Sequence, residues 1–137
     1  MRRKLVLDTN IVSAILRRHK GVRQQLKEEL TENAIVYLCP VVYFEVLRGL
    51  RHKDAHGQEA RFQALVSALN GDAFEHPDWV MAAQMWAHAC KRGRRSDDDA
   101  DVLIAAYARN RAATVVTENM RDFEVFDIPL ENWRAED

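Results

Sequence analysis

No apolar run in this chain is long enough to cross a bilayer, and no tract is of low complexity. A membrane-embedded role is thereby excluded, and a soluble globular protein is expected. The basic start, Met1-Arg2-Arg3-Lys4, leads into an apolar stretch that breaks at Asp8, too soon for the core of a signal peptide. Cysteine is scarce: Cys39 and Cys90 stand far apart in apolar settings, as free buried thiols of a reducing cytoplasm do. There is no glycine-rich phosphate loop, no Cys-x-x-Cys pair and no Gly-x-Ser-x-Gly elbow. His52 and His56 are four apart, but neither a cysteine nor a third histidine is near to complete a zinc site. No histidine is placed to act as a general base.

What is present fits one domain of 137 residues, 47% hydrophobic and 30% charged. The net charge is −1, but the cations are clustered: Arg2 to Lys4, Arg17 to Lys20, Arg48 to Lys53 and Lys91 to Arg95. Most of these clusters lie near acidic groups in sequence. Carboxylates that hold metal, ringed by cations that hold phosphate, are the expected layout of a nuclease. Arg17, Arg48, Arg94 and Arg95 are the candidate RNA contacts; the plainer alternative for each is solvated surface.

Apolar and turn patterns predict strands at 4–8, 34–38 and 113–116, with short strands at 73–75 and, at an edge, 124–128. Helices are predicted to about 18 after a cap at Thr9 or Asn10, then over 22–32, 41–51, 58–69, 99–110, and from a cap at Asp78 to about Lys91. On that last helix Val80, Ala83, Trp86, Ala87 and Cys90 are expected to pack inward. A turn or short helix covers 119–123, and Trp133 closes the core. Strands alternating with helices imply an α/β fold with a central parallel sheet, whose ligands sit beyond the C-terminal strand ends.

Four acidic groups stand at that rim. Asp8 ends Lys4-Leu5-Val6-Leu7, Glu45 interrupts Val41-Val42-Tyr43-Phe44, Asp97 to Asp101 open Val102-Leu103-Ile104, and Asp122 follows Thr114-Val115-Val116-Thr117. Carboxylates set against apolar segments are costly unless something neutralises them. Mg²⁺ or Mn²⁺, hard cations that take carboxylate oxygens, would do so. The expected ligands and catalytic acids are Asp8, Glu45, Asp101 and Asp122, with Asp99 either an auxiliary ligand or a plain surface acid; Asp97 and Asp98 are expected to cap or face solvent. The Thr9 hydroxyl is expected to orient Asp8 or a metal-bound water, Asn10 to hold a neighbouring carboxylate or the phosphate, and Thr117 and Asn119 to do the same at the other strand end. The nucleophile is assigned to metal-activated water.

In this order and spacing, Leu7-Asp8-Thr9-Asn10, the Glu45 helix with Arg48-Gly49, Asp101-Val102-Leu103-Ile104-Ala105-Ala106, Val116 to Phe123 and Leu130-Glu131-Asn132-Trp133 resemble PIN-domain ribonucleases, specifically VapC toxins of toxin–antitoxin pairs. The resemblance covers nearly the whole chain. It implies an α/β/α sandwich and an Mg²⁺- or Mn²⁺-dependent endoribonuclease that cleaves structured RNA such as tRNA or rRNA. It also implies a homodimer, a VapB-like antitoxin that fills the active-site groove, and contact with operator DNA only through that antitoxin. Two other readings compete. A catalytically silent module of the same fold would bind RNA or protein without cleavage. An aspartyl-nucleophile phosphatase would use Asp8, but Asn10 replaces its usual second acid.

Overall fold

The computed structural model describes residues 2–94 and 98–134. Its centre is a four-stranded parallel sheet in the order β2-β1-β3-β4. Strand β1, Lys4–Leu7, takes the middle because Leu5, Val6 and Leu7 can be buried from both sides; all three are fully inaccessible. Burial of each contributes about 1.5–3 kcal/mol. Strand β2, Ile35–Tyr37, pairs Val36 with Leu5, and β3, Thr114–Val116, pairs Val115 with Val6.

The edge strand is β4, Leu130–Glu131, not the expected 124–128. That apolar run instead continues helix α7, Met120–Phe123, as a 3-10 turn over Glu124–Phe126. Asp127 ends the turn at φ 51°, and Pro129 can then accept from Val115 N at the sheet edge. Residues 73–75 form no strand; Tyr37 is bridged by Asn70 instead.

Helix α1, Thr9–Leu16, starts straight off β1, and its cap is Asp8 rather than Thr9 or Asn10. Helix α2, Lys20–Thr31, is capped by His19, whose Nδ1 accepts from Val22 N at 3.1 Å. Helix α3, Pro40–His52, opens on proline, where a missing N–H costs little, and α4, His56–Ala68, packs beside it. Helices α1 to α4 form one packed set.

Helix α5, His76–Lys91, lies along α6, Asp99–Asn110. It begins two residues before the expected cap, so Asp78 sits in its first turn and accepts from Glu75 N at 2.9 Å. Its inward face is Ala82, Met85 and Ala89, not Val80, Trp86 and Cys90. Small residues on both helices let their axes approach, and the bulky Trp79, Val80 and Trp86 are left outside. Trp133 is half-buried against the core, its indole N–H donating to Glu131 at 3.1 Å. Cys39 is buried and Cys90 half-buried, both as free thiols. No helix among the described residues is long and apolar enough to cross a membrane.

Candidate active site

All four strands run the same way, so β1 and β3 deliver Asp8 and Thr117 to one rim of the sheet. Asp8 N donates to Val116 O at 2.9 Å and extends the ladder past β1, which fixes the backbone from which its carboxylate hangs. That carboxylate is 6% exposed. Oδ1 accepts from Thr9 N at 2.8 Å and Oδ2 from the Thr117 hydroxyl at 2.7 Å. Thr117 in turn accepts from Asn119 N at 3.0 Å and Asn10 Nδ2 at 3.5 Å, and Asn10 Oδ1 accepts from Glu118 N at 3.3 Å. The four polar residues singled out in sequence thus form one support, with two roles exchanged. Thr117, not the Thr9 hydroxyl, orients Asp8, and Asn10 braces the β3 end rather than holding a carboxylate.

Glu45 comes from α3, one and a half turns after Pro40. Its Oε1 accepts from the Thr9 hydroxyl at 2.7 Å, and its Oε2 lies 3.7 Å from Arg48. Asp101 sits in the first turn of α6, and Asp98 caps that helix through Ala100 N at 2.9 Å. Negative charge is favoured at that end of a helix. Asp122 occupies the first turn of α7.

These groups open on one cleft of about 760 Å³, lined by Asp8, Thr9, Asn10, Glu45, Asp98, Asp101, Asn119 and Asp122 together with Arg48, Arg94, Arg121 and Val125. Asp98 and Asp99 are both exposed; Asp98 caps α6 as expected and also lines the cleft, whereas Asp99 does not line it. In a run of aspartates the turn at which the helix starts decides which one faces inward. Arg17, at the far end of α1, does not line the cleft either, and Arg95 and Asp97 lie outside the described residues. Arg121 was missed as a cleft residue, although its place beside Asp122 is a usable signal. Arg94 is aimed by the end of α5. Gly93 takes φ 69°, its N–H bonds Cys90 O, and Arg94 N bonds Ala89 O, both at 2.9 Å.

The electrostatics of the cleft are strained. Burial pushes the Asp8 pKa above the ordinary carboxylate value, the bonds from Thr117 and Thr9 offset part of that, and Glu45 and Asp98 push it up again. Asp101 is pushed up to about 7, by burial first and then by the charges of Asp8, Asp98, Asp122 and Glu45. Mutual repulsion of this kind lifts clustered carboxylates in the absence of a counter-charge. Among the described residues no three acids, histidines or cysteines are drawn together into a closed metal cage. The donor set nonetheless fits a hard divalent cation: carboxylate oxygens only, on separate elements, with hydroxyl supports behind two of them.

Residues 5–128 match the PIN domain family, and the chain belongs to it. It is 30% identical over 121 residues to Ribonuclease VapC19 of Mycobacterium tuberculosis, an alignment that spans 88% of this chain and 93% of that protein. In fold it is similar to VapBC2 from Rickettsia felis, solved bound to a DNA fragment from its promoter. The TM-score there is 0.85 at 23% identity, covering 95% of this chain and 98% of that one. FitAcB from Neisseria gonorrhoeae superposes with a TM-score of 0.82 at 25% identity, covering 96% and 99%.

Proposed function

We propose that this protein is a VapC-type toxin, an endoribonuclease that depends on Mg²⁺ or Mn²⁺ and hydrolyses phosphodiester bonds of structured RNA such as tRNA or rRNA. The carrying observation is the single cleft where Asp8, Glu45, Asp98, Asp101 and Asp122 meet three arginines. The likeness to a named ribonuclease supports the reaction, and the likeness to VapBC complexes supports a VapB-like antitoxin as partner. Operator DNA is contacted through that antitoxin. A homodimer has an apolar face available in Trp79, Val80 and Trp86.

The ion would be held by Asp8, Glu45, Asp101 and Asp122, with Asp98 beside them. When bound, it supplies the positive charge that acidifies water and stabilises a leaving oxygen. Asp8 is the fixed reference of the set, because both its oxygens are already engaged by Thr9 and Thr117. Glu45 is held ready by the Thr9 hydroxyl. Arg48, Arg94 and Arg121 neutralise the RNA backbone that five nearby acids would otherwise repel. Asp101 carries a proton part of the time near neutral pH and must release it for all the acids to be charged together.

The test is cleavage of total cellular RNA by purified, antitoxin-free protein, with the new ends sequenced. Discrete ends that require Mg²⁺ or Mn²⁺ and disappear in Asp101→Asn are expected. RNA binding without cleavage by folded, metal-loaded protein would instead make it a silent binding module.

A further inference from the structure

Four large apolar side chains are conspicuously exposed among the described residues: Phe44, Trp79, Val80 and Trp86. Three lie on α5. Phe44 is on α3, one residue before the cleft residue Glu45, with 59% of its surface open to solvent. Its ring is not bare. The Arg48 guanidinium lies over it, 5.0 Å from the ring centroid, while reaching to within 3.7 Å of Glu45 and lining the cleft wall. One turn of α3 therefore presents an aromatic face, a guanidinium plane and a catalytic-site carboxylate in succession.

An exposed phenyl ring beside an arginine of the cleft wall matches the chemistry of an unpaired nucleotide. Every nucleobase has a π-face that stacks on aromatic rings or on arginine planes, and its phosphates seek the cations beside it. A paired base has both faces covered by its neighbours and cannot use such a platform. Burial of Phe44 in the protein's own core is not an option, since Val42 and Val46 already fill the inward face of α3.

We propose that Phe44, ordered by Arg48, is a base-stacking platform at the rim of the cleft, which holds an unpaired nucleobase flanking the phosphate to be cleaved. The idea rests on the ribonuclease reading above. It makes Phe44 a positioning residue that selects single-stranded or looped RNA, while the acids remain responsible for hydrolysis.

The experiment uses a short single-stranded RNA carrying 2-aminopurine, whose fluorescence falls when the base stacks, and full-length protein with Mg²⁺, read by stopped flow before cleavage. Binding should quench the probe. Phe44→Ala or Phe44→Leu should abolish the quench and weaken binding about tenfold, whereas Phe44→Tyr should keep both. The leucine variant retains apolar bulk without a ring face, so it separates stacking from simple burial. Sedimentation of each variant monitors assembly. Unchanged quenching and affinity in both the alanine and leucine variants would overturn the platform while leaving the nuclease intact. A change of oligomeric state with RNA binding preserved would do the same and place Phe44 in a protein interface. If wild-type protein with Mg²⁺ neither binds nor cleaves RNA, the ribonuclease reading itself fails and the platform with it.

Discussion

Asp8 and Asp78 are both buried carboxylates, 6% and 2% exposed, yet their acidities move in opposite directions. Burial disfavours the charged form of each. Asp78 overcomes it with bonds from Arg111, Glu75 N and Asn110, and ends below the ordinary carboxylate range. Its partner is well held too: Arg111 donates to Tyr107 O and Ala73 O and lies 3.6 Å from the centroid of the Tyr107 ring. Asp8 is held by the Thr117 hydroxyl and the Thr9 backbone N–H, with other acids around it, and ends above that range. The Asp78 network carries its own guanidinium and ties α5 to the end of α6, with Arg111 Nε the one buried side-chain nitrogen or oxygen among the described residues that lacks a hydrogen-bond partner. Asp8 instead shares its cleft with Glu45, Asp98, Asp101 and Asp122, an arrangement of carboxylates that suits a divalent cation.

The largest way to break this contrast is Arg111→Ala. It strands a buried carboxylate and should cost about 3–5 kcal/mol in urea unfolding at pH 7. Asp8→Asn should leave the metal-free fold intact, since it removes a buried charge set among other carboxylates. Equal destabilisation by the two changes would erase the distinction between the sites.

Activity should show the reverse order. Asp8→Asn and Asp101→Asn are each expected to lower RNA cleavage by at least about 100-fold, while a conservative change at Asp99 has a much smaller effect. Comparable losses at Asp99 and Asp101 in initial-rate assays would mean that the exposed acid also serves the reaction.

The two regions also predict opposite pH slopes. Asp101 binds its proton more tightly folded than unfolded, so its contribution is fully present at low pH. That contribution is lost as pH rises from about 4, the ordinary carboxylate value, through about 7. Metal-free protein should therefore gain stability as pH falls from 7 to 5, by about 1 kcal/mol after allowing for the screening of a half-exposed group. Asp101→Asn should flatten that slope. Asp78 contributes in the other sense: its stabilisation is present above the ordinary carboxylate value and disappears in stronger acid. Melting temperatures measured across pH 3–8 with chelator present would reveal both limbs, and a flat profile from 5 to 7 would contradict the first.

Smaller effects sharpen the picture. Thr117→Val removes the hydroxyl that holds Asp8 and should cost about 1 kcal/mol of stability by denaturant titration, together with a weaker affinity for metal. Arg94→Ala should weaken RNA binding more at low salt than at high salt. An equal loss at both would remove Arg94 from the phosphate contacts.

Much of this site was legible because polar residues violated an apolar pattern. Asp8 ends a strand that must be buried, and Asp101 opens an alanine-rich helix, so both announce themselves. The choice between Asp98 and Asp99 was not legible, since adjacent identical side chains are told apart only by the residue at which the helix begins. Helix α5 misled for a related reason. It has apolar residues around most of its circumference, so spacing alone favoured the large Trp86, while tight packing on α6 selected the small Ala82 and Ala89. The edge strand was misplaced because β4 is only two residues long and owes its place to pairing with β3, not to its own propensity.

Calorimetric titration of Mn²⁺ into the metal-free protein at pH 7 asks whether the acid cleft takes up one or more divalent cations. Titrations in buffers of different ionisation heat report protons released. The account predicts binding that expels a fraction of a proton, largely from Asp101, and that is lost in Asp8→Asn and Asp101→Asn. Absence of saturable binding by folded wild-type protein, or binding unaffected by both substitutions, would contradict it.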